Sequence, residues 1–365
     1  MPSSCRRLVH DPDGHNAGFW PIPAEYFVTP SNVFFTRSHA ATPQIDPATW
    51  RLEVCGLVDR PRTFSLAELL NFPERHEAAT LICAGLRRDE FLSIGPLPGE
   101  LPWGAEAAST GVWTGISLAD VLSAAAVSPL AKFVEFVGLD ACEREGRRFG
   151  FGGSIDIAKA QCPEVLLATR LNGAPLAPER GFPVRVVVPG WIGARSVKWL
   201  GQIRLSEEPS SNYFQSRAYR LQREVNQNDL RNVTAGVALT EVSLNAVILE
   251  PIADQKVPAG PVLVRGWAIG SGGKPLTSIE VSANEGRTWT AARIAVEGRR
   301  WTWTFWDATV ELAPGTHTLM VRATDSAGTR QPASAWETWN VKGYSNNAWH
   351  RVTICVLEPD AKPGL

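Results

Sequence analysis

The chain has 365 residues, and its 36 basic and 37 acidic side chains leave a formal net charge of −1. That balance excludes a globally basic nucleic-acid binder or a protein held electrostatically to an anionic membrane, so any functional charge has to be local. The length suffices for two domains with separate cores, and no uninterrupted apolar run reaches the roughly 20 residues that span a bilayer.

Residues 1–30 carry Pro12, Pro21, Pro23 and Pro30 with few periodic apolar positions, the pattern of an extended arm lying on the first domain. The start is polar and has no apolar segment after Arg6-Arg7, so no export signal is read there and a cytoplasmic location is expected, or a periplasmic one if a leader has been removed. Residues 32–39 are expected to form a short strand ending in a polar tip, and Trp50–Val54 alternates as a strand does. Ser65 followed three residues later by Glu68 is a capping-box pattern that starts a helix, and a second helix is expected over 117–122. Further on, 132–137 alternates, 154–160 has the composition of a short helix, and 184–188 is a β-branched strand ending at Pro189-Gly190. Mixed short elements of this kind point to a compact α+β domain, with no GxGxxG or GxxxxGK[ST] segment for a nucleotide.

From about residue 237 the texture changes to short alternating segments separated by turn residues, at 262–267, 279–282, 301–305 and 316–323. This spacing predicts an all-β immunoglobulin-like sandwich, so the expected domains are 1–236 and 237–365. Eight of the 14 tryptophans fall in the second domain, where they either fill its core or serve a subunit interface.

The six cysteines are scattered without a CxxC pair, which removes a zinc framework and a haem-attachment motif. One of them stands in a distinctive setting. Cys83 lies in the run TLICAGLRR, between an apolar strand-like segment and two consecutive guanidinium groups, Arg87 and Arg88. Positive charge beside a thiol favours the thiolate, the form that binds soft metals; the plain alternative is a small buried residue at a strand end. Near residue 195, Gly193-Ala194-Arg195-Ser196-Val197-Lys198 is a glycine-led turn with two cations and a hydroxyl, suited to a phosphate or equally to a solvated basic turn.

The segment TLICAGLRR, together with FFTRSH at 34–39, GLD at 138–140, GFPVRVVVPGWIGARSVKWLG at 181–201, AYR at 218–220 and SNNAWHRV at 345–352, resembles the sulfite oxidase family of molybdenum enzymes. The resemblance implies molybdenum with molybdopterin as cofactor, an α+β molybdopterin-binding domain and a C-terminal dimerisation domain. It implies that Cys83 ligates the metal, that His39, Asp140, Arg185, Arg195, Ser196 and Lys198 hold the pterin, and that Arg37, Arg88, Trp103, Tyr219 and Lys342 form the substrate pocket. Departures from the family pattern stand at Leu86 (asparagine in the family), Arg180 and Ser196 (histidine), Ala218 (aspartate) and Lys342 (arginine). Lysine at 342 offers a point charge in place of a bidentate fork.

The implied activity is oxidation of sulfite to sulfate by oxygen transfer. No haem or flavin motif is visible, so an external electron acceptor of the c-type cytochrome kind and a homodimer are expected. Nitrate reduction, another small oxyanion or sulfur compound, and a catalytic subunit that needs a haem partner are the alternative readings.

Overall fold

The computed structural model describes residues 5–222 and 236–358. Two sheets build the first part of the chain. One has five strands in the order Gly152–Asp156, Phe133–Gly138, Leu200–Ser206, Arg51–Gly56 and Arg62–Ser65, with only the Leu200–Ser206/Arg51–Gly56 pair parallel. The other runs Ala174–Pro175, Leu166–Leu171, Ala108–Ser117, Glu74–Ile82, and Arg185–Val187 pairs with Leu166–Leu171. Among the described residues α-helix is confined to Leu66–Leu69, Leu118–Ala125 and Ile157–Ala160, so the α+β domain is mainly β. The expected capping box is present, with Ser65 Oγ accepting from the Glu68 backbone at 3.2 Å and Glu68 Oε2 accepting from the Ser65 backbone at 2.8 Å.

Residues beyond 244 form two facing sheets around a core that includes Ile248, Val264, Val281, Trp306, Val321 and Ile354. One sheet orders Asn245–Glu250, Gly260–Ile269, Thr304–Leu312, Arg293–Val296; the other orders Lys256–Pro258, His350–Leu357, Gly315–Asp325, Leu276–Ser282, Thr290–Ala291. This is the expected sandwich, its inner faces packed apolar against apolar. No helix among the described residues is long and apolar enough to cross a membrane.

Four local expectations are corrected. The N-terminal arm contains an antiparallel hairpin, Arg6–Val9 against Ala17–Trp20, whose turn is held by Asp11 accepting from both the backbone and the side-chain amide of Asn16. Residues 32–39 are not a strand, because the Arg180 guanidinium takes the carbonyls of Ser31, Phe34 and Phe35 that a ladder would have used. The segment 154–160 divides: Gly152–Asp156 is a strand, and only Ile157–Ala160 is helical, capped by Asp156 accepting from the Lys159 backbone at 2.7 Å. In 301–305 the strand begins only at Thr304, because Trp301–Trp303 turns toward the first domain.

That turn is one of the seams between the domains. Thr80 donates its backbone N–H to Trp301 O at 2.9 Å, Thr80 Oγ1 accepts from the Trp303 backbone at 2.9 Å, and Trp303 Nε1 donates to Phe27 O at 2.8 Å. Gly190, at φ 81, is required at the same seam, since a Cβ there would lie 2.4 Å from the Trp301 ring. The tryptophans of the sandwich therefore serve mostly as packing: Trp267, Trp303 and Trp306 are buried, and only Trp336 is largely exposed.

His350 starts the last strand in a buried position, and its Nδ1 accepts the Ile248 backbone N–H at 3.1 Å, which requires the neutral ring. Burial, reinforced by Arg87, pushes its pKa down from 6.5 to about 3. Between these values the unfolded chain takes up a proton that the fold resists, so stability is lost as pH falls from about 6.5 toward 3, by about 1.4 kcal/mol per unit. Urea unfolding at pH 7 and pH 5 checks this: the difference between the two midpoints is expected to shrink in His350→Gln, which keeps an acceptor but cannot titrate.

Candidate active site

The strand Glu74–Ile82 ends at Cys83, and the chain then turns tightly, with Leu86 N–H donating to Cys83 O at 3.0 Å and Arg88 N–H to Gly85 O at 3.1 Å. Arg87 completes the turn in the left-handed region, at φ 58. Its buried guanidinium donates to both carboxylate oxygens of Glu90 (2.6 and 2.8 Å), to Asn245 Oδ1 (2.8 Å) and to Ala348 O (2.8 Å). The Cys83 turn is thereby fastened to the sandwich, and Asn346 Nδ2→Arg87 O and Ser345 N→Ala84 O fasten it again from the SNNAWH segment. Cys83 itself is buried, and its Sγ accepts the Gly85 N–H at 3.4 Å.

Beside this thiol opens a cleft with about 730 Å³ of empty space, its mouth included. Eight of the twelve residues singled out from the sequence line it: Arg37, His39, Cys83, Asp140, Arg185, Ser196, Lys198 and Tyr219. Arg195 lies just behind, fully buried, with NH2 donating to Leu239 O while Nε and NH1 have no partner among the described residues. Arg88 adjoins the cleft through a stack of rings: Tyr219 lies on Tyr344 (centroids 5.3 Å apart), and the Arg88 guanidinium covers Tyr344 at 5.0 Å; Lys342 is joined to Arg88 through Glu100, 3.2 Å from each. Trp103 does not line this cleft. It is buried behind Phe35, wedged against His10 of the N-terminal hairpin at 4.3 Å, and Phe34 and Phe35 line the cleft in front of it.

The electrostatics of the cleft are lopsided. Burial pushes Arg180 down to about 10, Arg185 to about 9 and Arg195 to about 10, and drives Lys198 well below its ordinary value, with Arg185 and Arg180 adding repulsion on Lys198. The Lys198 ammonium is held by Ser38 Oγ (2.6 Å) and Glu179 O (2.9 Å), and the Arg185 guanidinium by the carbonyls of Arg180, Val186 and Ser196. Neutral acceptors leave most of this charge uncompensated, so the site is built for an anion that enters from outside the chain. Asp140 is engaged with its own surroundings, accepting from Phe151 N–H at 2.9 Å and the Cys142 thiol at 3.4 Å, and burial raises its pKa.

At the other side of the cleft, His39 is stacked on Phe151 and held neutral, since burial and then Arg37, Arg144, Lys198 and Arg88 lower its pKa far below 6.5. Arg37 donates to its Nδ1 at 3.3 Å, so the proton resides on Nε2, which donates to Tyr219 Oη at 2.8 Å. Burial pushes the Tyr219 phenol up to about 12, and with its oxygen already accepting from His39, its own O–H is left to donate into the cleft. Sequence reasoning gave His39 a cofactor contact; the structure couples it to Tyr219. Arg180, Glu100 and Tyr344 also belong to this neighbourhood and went unassigned, because no local pattern marks a side chain by the partners it meets in the fold: Arg180 bonds Phe34 and Phe35, Tyr344 stacks on Tyr219, and Glu100 pairs with Arg88 and Lys342.

The buried cations generate a direct test. Lys198 is a base held below its ordinary value, so the ligand-free fold is least favoured toward neutral and acidic pH, where the unfolded chain holds the proton; an anion in the cleft reverses this. Inorganic pyrophosphate added to cofactor-free protein is expected to raise its thermal midpoint, by about 2.7 kcal/mol in stability at a hundred times its Kd. Lys198→Met is expected to keep the fold and lose most of that gain, read by calorimetry.

The donor set fits a molybdopterin. A soft, buried sulfur lines the cleft together with the Arg180 and Arg185 guanidinium groups and the Lys198 ammonium, with Arg195 buried behind them, a donor set suited to a soft metal and an acidic pterin tail. Comparison with known proteins agrees. Residues 39–214 match the oxidoreductase molybdopterin binding domain, and residues 237–357 match the Mo-co oxidoreductase dimerisation domain. The chain is 38% identical over 336 residues to sulfite oxidase of Gallus gallus, covering 90% of this chain and 73% of that one. It is 36% identical over 343 residues to mitochondrial sulfite oxidase of Homo sapiens, spanning 62% of that protein's length. A nitrate reductase [NAD(P)H] of Hordeum vulgare is also 36% identical, with 40% of its length covered. Among solved structures, the sulfane dehydrogenase SoxCD from Paracoccus pantotrophus superposes with a TM-score of 0.76 at 25% identity, over 90% of this chain and 83% of that one. By sequence, by fold and by the chemistry of its cleft, the chain belongs to the sulfite oxidase family of molybdopterin-dependent oxidoreductases.

Proposed function

We propose that the chain oxidises sulfite to sulfate, with Cys83 as the protein ligand to molybdenum. The observation that carries this reading is the set of buried cations without carboxylate partners that converges on a buried thiol and a protonated tyrosine. Molybdenum in its pterin, when bound, supplies oxygen-atom exchange and accepts two electrons.

The chain's own groups do the rest. Arg185, Arg195, Ser196 and Lys198 hold the pterin's anionic tail by charge-assisted hydrogen bonds, and Asp140 and His39 flank it. Arg37, Arg88 and Lys342 draw in the oxyanion and orient it, a task that fixed cations perform best where water is scarce. Tyr219 donates its O–H to a substrate oxygen, since His39 already occupies the phenol's acceptor side. Trp103 supports the pocket from behind, through Phe35.

Residues 1–236 are proposed to carry the cofactor and 237–365 to form the dimer contact; the boundary follows the segment 223–235, and the last residues 359–365 likewise lie outside the described ones. Electrons leave to a redox group outside this sequence, of the c-type cytochrome class.

Sulfite-dependent reduction of ferricyanide, with molybdenum and pterin quantified on the same sample, tests the reading. Turnover by the loaded protein is expected, and Cys83→Ser is expected to lower it by on the order of a hundred-fold or more, since a hard hydroxyl replaces the soft ligand. Full molybdenum loading without sulfite turnover would overturn the proposal and direct the same assay to nitrate.

A further inference from the structure

Glu100 has no assigned role, yet it sits on the two cations that flank the cleft. Its Oε2 lies 3.2 Å from Arg88 NH2, and its Oε1 lies 3.2 Å from Lys342 Nζ. The carboxylate and the Arg88 guanidinium are largely buried, with 14% and 4% of their side chains exposed, so this is not a screened surface pair. Arg88 is locked in place by other contacts. It donates to Gly343 O (3.2 Å) and Leu101 O (3.0 Å), and its guanidinium packs over Gly85, where a Cβ would lie 2.8 Å from its central carbon. Gly85 is also the residue whose N–H points at Cys83 Sγ. The glutamate therefore links Lys342 to Arg88, whose guanidinium lies against the glycine that bonds the buried thiol.

A carboxylate and a small sulfur oxyanion offer these cations the same thing, a pair of oxygens carrying shared negative charge. Arg37, the third cation assigned to the oxyanion, differs: its hydrogen bonds go to Asn16 Oδ1, Ser38 O and His39 Nδ1, none of them a carboxylate. We propose that Glu100 is a built-in competitor for the oxyanion, a positioning residue that acts through Arg88 and Lys342 to weaken their hold and thereby sets how tightly substrate and product are retained. The inference rests on the sulfite reading of this site. Two cations and one anion leave one net positive charge at this end of the cleft; with glutamine at 100 there would be two. The doubly charged product gains more from the second charge than a singly charged form of the substrate does. Glu100 therefore favours product release over tight binding.

The test uses the full, cofactor-loaded chain, with inorganic sulfate as the probe. Glu100→Gln is expected to tighten sulfate binding roughly ten-fold, both in isothermal titration and as inhibition of turnover. It is also expected to lower the KM for sulfite without raising kcat. Glu100→Asp, whose carboxylate is drawn back by one methylene, moves the same way by less and decides the matter should the glutamine variant fold poorly. Lys342→Met is expected to weaken sulfate binding and to reduce the gain from Glu100→Gln. A merely structural glutamate would give weaker binding on substitution, not tighter. Unchanged or weaker sulfate binding in both Glu100 variants, with sulfite turnover intact, overturns this inference alone. A parent protein that neither turns over sulfite nor binds sulfate overturns the functional reading with it.

Discussion

The active site depends on one buried ion pair. Arg87, fully enclosed and in the left-handed backbone region, pairs with Glu90 by two hydrogen bonds and reaches Asn245 and Ala348 on the sandwich. Burial alone would raise the Glu90 carboxyl; Arg87 overcomes that, together with the Asn346 amide, and holds it below its ordinary value. Removing Glu90 would leave the fully enclosed Arg87 charged and unsolvated, a loss on the order of 3 kcal/mol, whereas Glu90 is 30% exposed and keeps some solvent. The cost is tolerated because every guanidinium nitrogen of Arg87 has an acceptor, and the result is a Cys83 turn tied to the second domain. The sandwich is thus part of the site: Asn346 and Ser345 grip the turn from a segment more than 250 residues further along the chain.

The cleft beside that turn is built in the opposite sense. Arg180, Arg185 and Arg195 are buried together with the half-buried Lys198 beside them, and their acceptors are mostly neutral carbonyls. A rigid surround keeps them there, and the price is stability that only an anionic ligand restores. The contrast between a saturated pair at Arg87 and an unsaturated set across the cleft separates what holds the fold from what holds the cofactor. Arg88 and Lys342 are intermediate, since Glu100 satisfies them in part.

His39 and Tyr219 illustrate how packing assigns a proton. Neighbouring cations and burial keep the imidazole neutral, Arg37 fixes its tautomer, and the phenol is left with a hydrogen to give. Neither residue has this property alone.

By itself the sequence determined the broad outcome. Alternation from about residue 237 and the Ser65/Glu68 capping box are local rules, and the helix start and the strands read at 262–267, 279–282 and 316–323 lie where those rules put them. The thiol beside two arginines and the ordered family segments marked the cofactor class, and eight of the twelve marked residues meet in one cleft. Tertiary structure decided the rest. Residues 32–39 lost their strand because Arg180 took its carbonyls, and Trp301–Trp303 left the sandwich to bond Thr80 and Phe27. Trp103 came to lie buried against the hairpin's His10, and Glu100 on Arg88 and Lys342. Each of these outcomes turns on a side chain meeting a partner far away in sequence. Periodicity and capping report only a residue's near neighbours, whereas a buried charge is placed by whichever distant groups can satisfy it.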